Sequence, residues 1–159
     1  ATGVPMGSDL EARRSGAPHF FAWALRDPNS AWLQRLQIVK GWFEAGTRHE
    51  RIYDVACSDG LEPSPDTHRC PDNNASVDLA TCSYDFDKGD TELKVTWQDQ
   101  DFDRKQHAFY YVRVLENPTC RWSTWDALKL GIPPRTEKPL TLQERAWTSP
   151  IWVSPQRAM

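Results

Sequence analysis

"HAFYYVRVLENPTCRWSTWDAL", His107 to Leu128, decides how the fold is read. Ala108 to Glu116 is rich in aromatic and β-branched residues, which suit a pleated, half-buried surface. A period of two places Tyr110, Val112 and Val114 on one face, the inward one, and sets Arg113 and Glu116 on opposite faces. Asn117-Pro118 breaks the pattern and reads as a corner, with Cys120 tied back to the sheet. Beyond it, Ser123 is an N-cap candidate, Asp126 follows three residues later and Gly131 is a stop, which predicts a short helix. The stretch is therefore a central strand, a corner and one turn-like helix.

Other segments repeat the strand pattern. "PHFFAWALRD", Pro18 to Asp27, has Phe21, Trp23 and Leu25 on a common face between turn residues. "AWLQRLQIVKGWF" fits a helical stripe through Trp32, Leu33, Leu36 and Val39. Its tail "LQIVKGWF", followed by "EAGTRHERIYDVAC", fits two strands across a glycine-containing turn better, so a hairpin is expected with Arg51 to Cys57 as its second arm. A polar loop spans Ser58 to Asn74, with prolines at 63, 65 and 71. "SVDLATCSYD" reads as a short strand. "TELKVTW" alternates well, with Leu93, Val95 and Trp97 facing one way. After the connection "IPPRTEKP", "QERAWTSPIWVSP" is a last strand broken at Ser149-Pro150, as edge strands often are.

About seven short strands with turn signals between them point to an all-β fold. The expected architecture is an immunoglobulin-like antiparallel β-sandwich with long loops and one short helix. Residues 1–17 form an N-terminal segment and 18–159 the sandwich domain. Tyr110 lies in a late strand after the Asp-rich turn "DQDFDRKQ". That position suits a sandwich corner, where a Tyr hydroxyl bonds upstream backbone. An inward Tyr with its hydroxyl at the rim is the alternative.

The chain has 159 residues, enough for one domain with its own core. Lys plus Arg is 19, Asp plus Glu is 22, and the net charge is −3, with no basic block. That balance argues against a nucleic-acid or anionic-membrane partner. No apolar run approaches the ~20 residues of a spanning helix. Eight tryptophans and twelve prolines lean towards β structure.

The four cysteines, Cys57, Cys70, Cys82 and Cys120, fit no zinc spacing. An even count among Pro- and Asp-rich loops reads as two disulfides made in an oxidising compartment, periplasmic or secreted; buried free thiols are the alternative. Three pairings are open. Cys57–Cys70 with Cys82–Cys120 is preferred, because the first pair closes the loop leaving one strand.

Catalytic signatures are missing: no GxSxG, phosphate loop, HExxH or paired-His motif. His19, His49, His68 and His107 are scattered near strand ends. Two acidic loops carry alternating carboxylates, Asp85, Asp87 and Asp90 in one and Asp99, Asp101 and Asp103 in the other. Calcium favours such hard oxygen ligands, but neither loop completes the calcium-loop pattern, and solvated hairpin turns explain both. Trp32, Trp42, Trp122, Trp125 and Trp147 lie near strand ends, where exposed rings would form a carbohydrate- or ligand-binding platform. Core and domain-interface packing is the alternative.

"GVPMGSDL", "LQRLQIVKGW", "YDVACSDG", "RCPDNNASVDLATC", "DFDRKQHAFYYVRVLENPTCRWSTWDAL" and "QERAWTSPIWV" occur in this order over nearly the whole chain. Together they resemble the C-terminal part of the bacterial domain-of-unknown-function family 3604. The resemblance implies a longer parent protein whose N-terminal part is similar to PHP and amidohydrolase-like metal-dependent hydrolases. It also implies a β-sandwich tail, with "TSPIWV", Thr148 to Val153, as its closing strand. None of the barrel's metal motifs is present, so no catalytic residue, metal ligand or cofactor site is carried onto this chain. Any divalent metal belongs to the missing catalytic domain. The implied function is a non-catalytic module that buttresses that domain or shapes access to it, with residues 1–17 packed on the domain and Arg121, Trp122 and Trp125 facing it. Separated from the domain, the chain is expected to expose apolar surface and to associate with copies of itself.

Overall fold

A two-residue turn joins two long neighbouring strands of the molecule. Ala45 (φ 48°) and Gly46 (φ 80°) both take positive φ between the paired residues Glu44 and Thr47. That is the tight hairpin geometry whose twist matches its strands. The computed structural model describes residues 3–12 and 16–155. Residues 1–2 and 13–15 of the N-terminal segment lie outside the described residues.

The strands are β1 (Asp9–Glu11), β2 (His19–Leu25), β3 (Leu33–Glu44), β4 (Thr47–Cys57), β5 (Glu92–Gln98), β6 (Ala108–Cys120), β7 (Thr141–Trp147) and β8 (Ile151–Ser154). One helix, α1 (Trp122–Leu130), lies between β6 and β7. The large sheet has the order β1-β8-β6-β3-β4, and β7 joins the same edge of β6 as β8. β2 and β5 form a second, two-stranded antiparallel sheet. The fold is all-β and sandwich-like, with β3 and β6 central. The short β1 runs parallel to β8, and Trp152 N–H donates to Ser8 O beside it.

Between the sheets, Phe20, Ala22 and Leu93 of the small sheet meet Leu36, Ile38, Tyr53, Tyr110 and Val153 of the large one. Val112 and Val114 pack against this core, as the alternation of β6 predicts. Leu93, Val95 and Trp97 also turn inward. Phe21, Trp23 and Leu25 do share a face, and it is the outward one. Two strands bury little by themselves, so the small sheet is held by this inner layer.

Three local expectations are corrected. β6 does not stop at Asn117-Pro118. It runs to Cys120 across a register shift between Leu115 and Pro118, where a bulge accommodates a residue without an N–H. The corner therefore starts at Arg121. Ser123 is not the N-cap; Arg121 is, with no side-chain cap bond. Pairing of Cys120 with Thr141 and of Arg121 N–H with Leu140 O holds the chain extended up to that point, so the helix opens immediately after it. Gly131 is the left-handed C-cap, as expected (φ 65°). "SVDLATCSYD" makes only one isolated bridge, Val77 to Tyr84. Asp78 takes hydrogen bonds from Ala80 N and Thr81 Oγ1, both 2.8 Å, and this local turn competes with a ladder. The Ser149-Pro150 break yields two strands on β6; between them, Thr148 N–H donates to Val112 O and Thr148 Oγ1 accepts from Val112 N–H.

Candidate functional site

Two disulfides tie the long loop between β4 and β5 to the sandwich. Cys57 bonds Cys70 and Cys82 bonds Cys120, the pairing preferred from the sequence. Both fit an oxidising compartment. Among the described residues, no helix is long and apolar enough to cross a membrane.

The six loop aspartates do not converge. Asp85 accepts from Ser76 N and Oγ (2.8 and 3.0 Å), Asp90 from Asp59 N, and Asp103 from Lys105 N. Asp101 pairs with Arg51 at 2.7 Å and takes the Tyr53 hydroxyl at 3.0 Å. Asp87 joins no metal-ligating group either. Among the described residues, no group of three or more His, Cys, Asp or Glu is placed to hold a metal ion. Protein donors already occupy most of the carboxylates that the calcium reading needed.

Asp99 is the exception in depth. It is buried with Lys40, whose Nζ lies 2.5 Å from Oδ2, and Lys40 also donates to Asp101 O at 2.9 Å. The Tyr110 hydroxyl donates to Asp99 Oδ2 at 2.7 Å. Tyr110 thus bonds an upstream carboxylate rather than upstream backbone, which corrects the corner expectation. The reason is the buried Lys40 charge, which draws Asp99 inward. Burial, then the bond and charge of Asp99, raise the Tyr110 pKa well above the ordinary tyrosine value. This cluster is closed from solvent and is structural.

The histidines stay apart in role. His49 stacks on Trp42, 5.1 Å between centroids, and His68 packs against Tyr53 at 5.2 Å. His19 opens β2. His49 and His107 line one open cavity of about 620 Å³ with Asp9, Glu50, Phe109 and Trp152. A hydrolytic constellation needs a nucleophile or metal within reach of such groups, and no metal-ligating group of this kind is present among the described residues.

The five tryptophans singled out from the sequence form no single row. Trp32 is half-buried under the Arg26 guanidinium, 4.3 Å from the ring centroid. Trp42 packs against the core. Trp122 and Trp125 are exposed on α1, where Arg121 and Lys129 lie over their rings. Trp147 is exposed on β7.

A second apolar layer was missed in the sequence: the outer face of the large sheet, turned away from β2 and β5. Its rows follow the register of β6. Phe109 faces Gly41 and Trp152, Tyr111 faces Val39, and Arg113 faces Gln37 and Trp147. The signal was present, because "AFYYVRV" carries Phe109 and Tyr111 at odd positions beside apolar even ones, as in a strand covered on both faces.

At one end of this face lies a polar relay. Arg113 Nε donates to Gln37 Oε1 at 2.7 Å, and Gln37 Nε2 to Asp54 Oδ1 at 2.6 Å. Asp54, with a fully buried side chain, also takes Arg35 Nη1 at 3.2 Å, Arg69 Nη1 at 3.4 Å and Cys70 N at 2.8 Å. A neighbouring cluster holds Asp59. Burial pushes its carboxyl up, but hydrogen bonds from Ser58, Gly89 N and Asn73 outweigh this and hold it below the usual carboxylate value.

A family model described as "Protein of unknown function (DUF3604)" matches residues 1–155. The chain belongs to that family. No curated protein and no solved structure matches it. The DUF3604 match spans both sheets, the helix and both disulfides, so the whole fold described above is family territory.

Proposed function

We propose that this chain is a non-catalytic β-sandwich module of a longer periplasmic or secreted protein, docked on the N-terminal catalytic domain of a metal-dependent hydrolase. One observation carries the reading. The segment around α1 turns Trp122, Trp125, Leu128, Leu130 and Ile132 to solvent, and β2 adds Phe21, Trp23 and Leu25. Their exposures run from 38% to 70%. Large apolar side chains left exposed together on one element, as on α1 and again on β2, mark an interface. Arg121 and Lys129 flank the α1 rings and supply a polar rim.

The test is sedimentation velocity on the chain alone and mixed with the separately produced remainder of the longer protein. A one-to-one complex that Trp122→Ser weakens at least tenfold is expected. A chain that stays monomeric in the mixture contradicts the reading. Self-association that Trp122→Ser abolishes while the mixture forms no complex replaces the catalytic domain with a second copy.

A further inference from the structure

We propose that the outer face of the large sheet binds an acidic glycan, with sugar rings on an aromatic track and a carboxylate or sulfate group at an arginine cluster. The track follows β6. Phe109 and Tyr111 are stacked, 6.3 Å between centroids and 10° between planes, and Trp152 leans on Phe109 at 5.3 Å. Trp147 and Trp152 remain more than half exposed. Gly41 lets the Phe109 ring lie flat on the sheet, since a Cβ there would stand 2.2 Å from that ring. The π faces of such rings are electron-rich and attract the polarised C–H face of a pyranose. From Phe109 to Arg113 the track runs about 14 Å, at about 3.4 Å per residue.

The arginine end fixes the charge of the ligand. Arg35, Arg69 and Arg113 converge on the relay of Gln37 and Asp54, with Asp54 as the bonded carboxylate and Asp72 bordering the cavity beside Arg35. Three guanidinium groups against the Asp54 and Asp72 carboxylates leave one positive charge in excess, in a chain whose net charge is −3. Arg113 is anchored through Nε alone and Arg69 through Nη1 alone. Their remaining N–H groups keep the planar fork that matches a carboxylate or sulfate. Trp147 sits directly across from Arg113 in the register. A ring and an oxyanion are therefore recognised side by side. At the opposite end, Asp9 and Glu50 border the cavity and accept from sugar hydroxyls.

This inference is independent of the docking reading, because it concerns a different face and is tested on the chain alone. The experiment is isothermal titration of the 159-residue chain with oligogalacturonate, a sulfated galactan tetrasaccharide, cellotetraose and tripolyphosphate. At least one acidic saccharide is expected to bind at least tenfold tighter than cellotetraose, with affinity falling as salt rises. Trp147→Ala, a change at an exposed ring, is expected to weaken it at least fivefold with the melting temperature unchanged. Arg69→Gln is expected to remove the preference over cellotetraose. No saccharide binding at millimolar concentration overturns the proposal. Equal binding of cellotetraose removes the anion site, and tripolyphosphate binding as tightly as the acidic saccharides removes the glycan.

Discussion

The ring of Phe109 lies across Gly41 on the neighbouring strand, so close that a Cβ at position 41 would meet Cζ at 2.2 Å. Such a contact belongs to backbone and a packed aromatic, and neither moves freely. Gly41→Ala is therefore expected to cost about 1–3 kcal/mol through overpacking. Urea unfolding gives the value, and in a Phe109→Leu background the penalty should shrink, since the pair is coupled.

Lys40 and Asp99 form a buried ion pair with the Tyr110 hydroxyl as third member. Removing one partner leaves a charge with no counter-ion in the core. Asp99→Asn and Lys40→Met should each cost about 3–5 kcal/mol. The double variant is expected to be less destabilised than the two single losses added together. Tyr110→Phe, which leaves the ion pair intact, should cost about 1–2 kcal/mol. Chemical denaturation of the four variants measures the set.

The same cluster sets the alkaline limit of stability. Burial and Asp99 raise Tyr110, and burial with Asp99 and Asp101 raises Tyr53. A tyrosine whose folded pKa is raised stabilises the fold fully below its unfolded pKa, about 10. That contribution is lost as pH climbs from there towards the folded value. Stability is thus expected to fall above about pH 10. Tyr53→Phe and Tyr110→Phe should each flatten that limb relative to their own stability at pH 8. An unchanged slope in both variants contradicts the assignment.

Reduction should act unequally on the two disulfides. Cys57–Cys70 closes a loop of separation 13, and Cys82–Cys120 one of separation 38. In the chain-entropy account their loss costs about 3 and about 4 kcal/mol. Melting of paired Cys→Ser variants tests the order, and a lower melting temperature for the Cys57/Cys70 pair contradicts it.

Local pattern carried the strands. The alternation of "TELKVTW", the glycine turn between β3 and β4, the Ser149-Pro150 break and the Gly131 cap were all legible, because each rests on neighbours in sequence. What escaped depends on distant partners. Lys40 in "IVKGWF" has no legible partner until Asp99, fifty-nine positions away, meets it. The start of α1 is set by pairing of β6 with β7, which no local cap signals. The convergence of Arg35, Arg69 and Arg113 on the Gln37–Asp54 relay comes from three strands and a loop, and only the register brings them together. The aromatic odd positions of β6 were visible, but strand reading assigned one buried face where the sheet has two apolar ones.

Hydrogen exchange tests the docking account most directly, by comparing the isolated chain with the same residues inside the longer protein. Amides of Trp122–Leu130 and of the β2 edge, His19–Leu25, are expected to exchange at least tenfold more slowly in the longer protein. The Lys40–Asp99 core should not change. Identical exchange at α1 and β2 in both contexts would contradict the account, because the apolar surface that carries it would then face water in the complete protein.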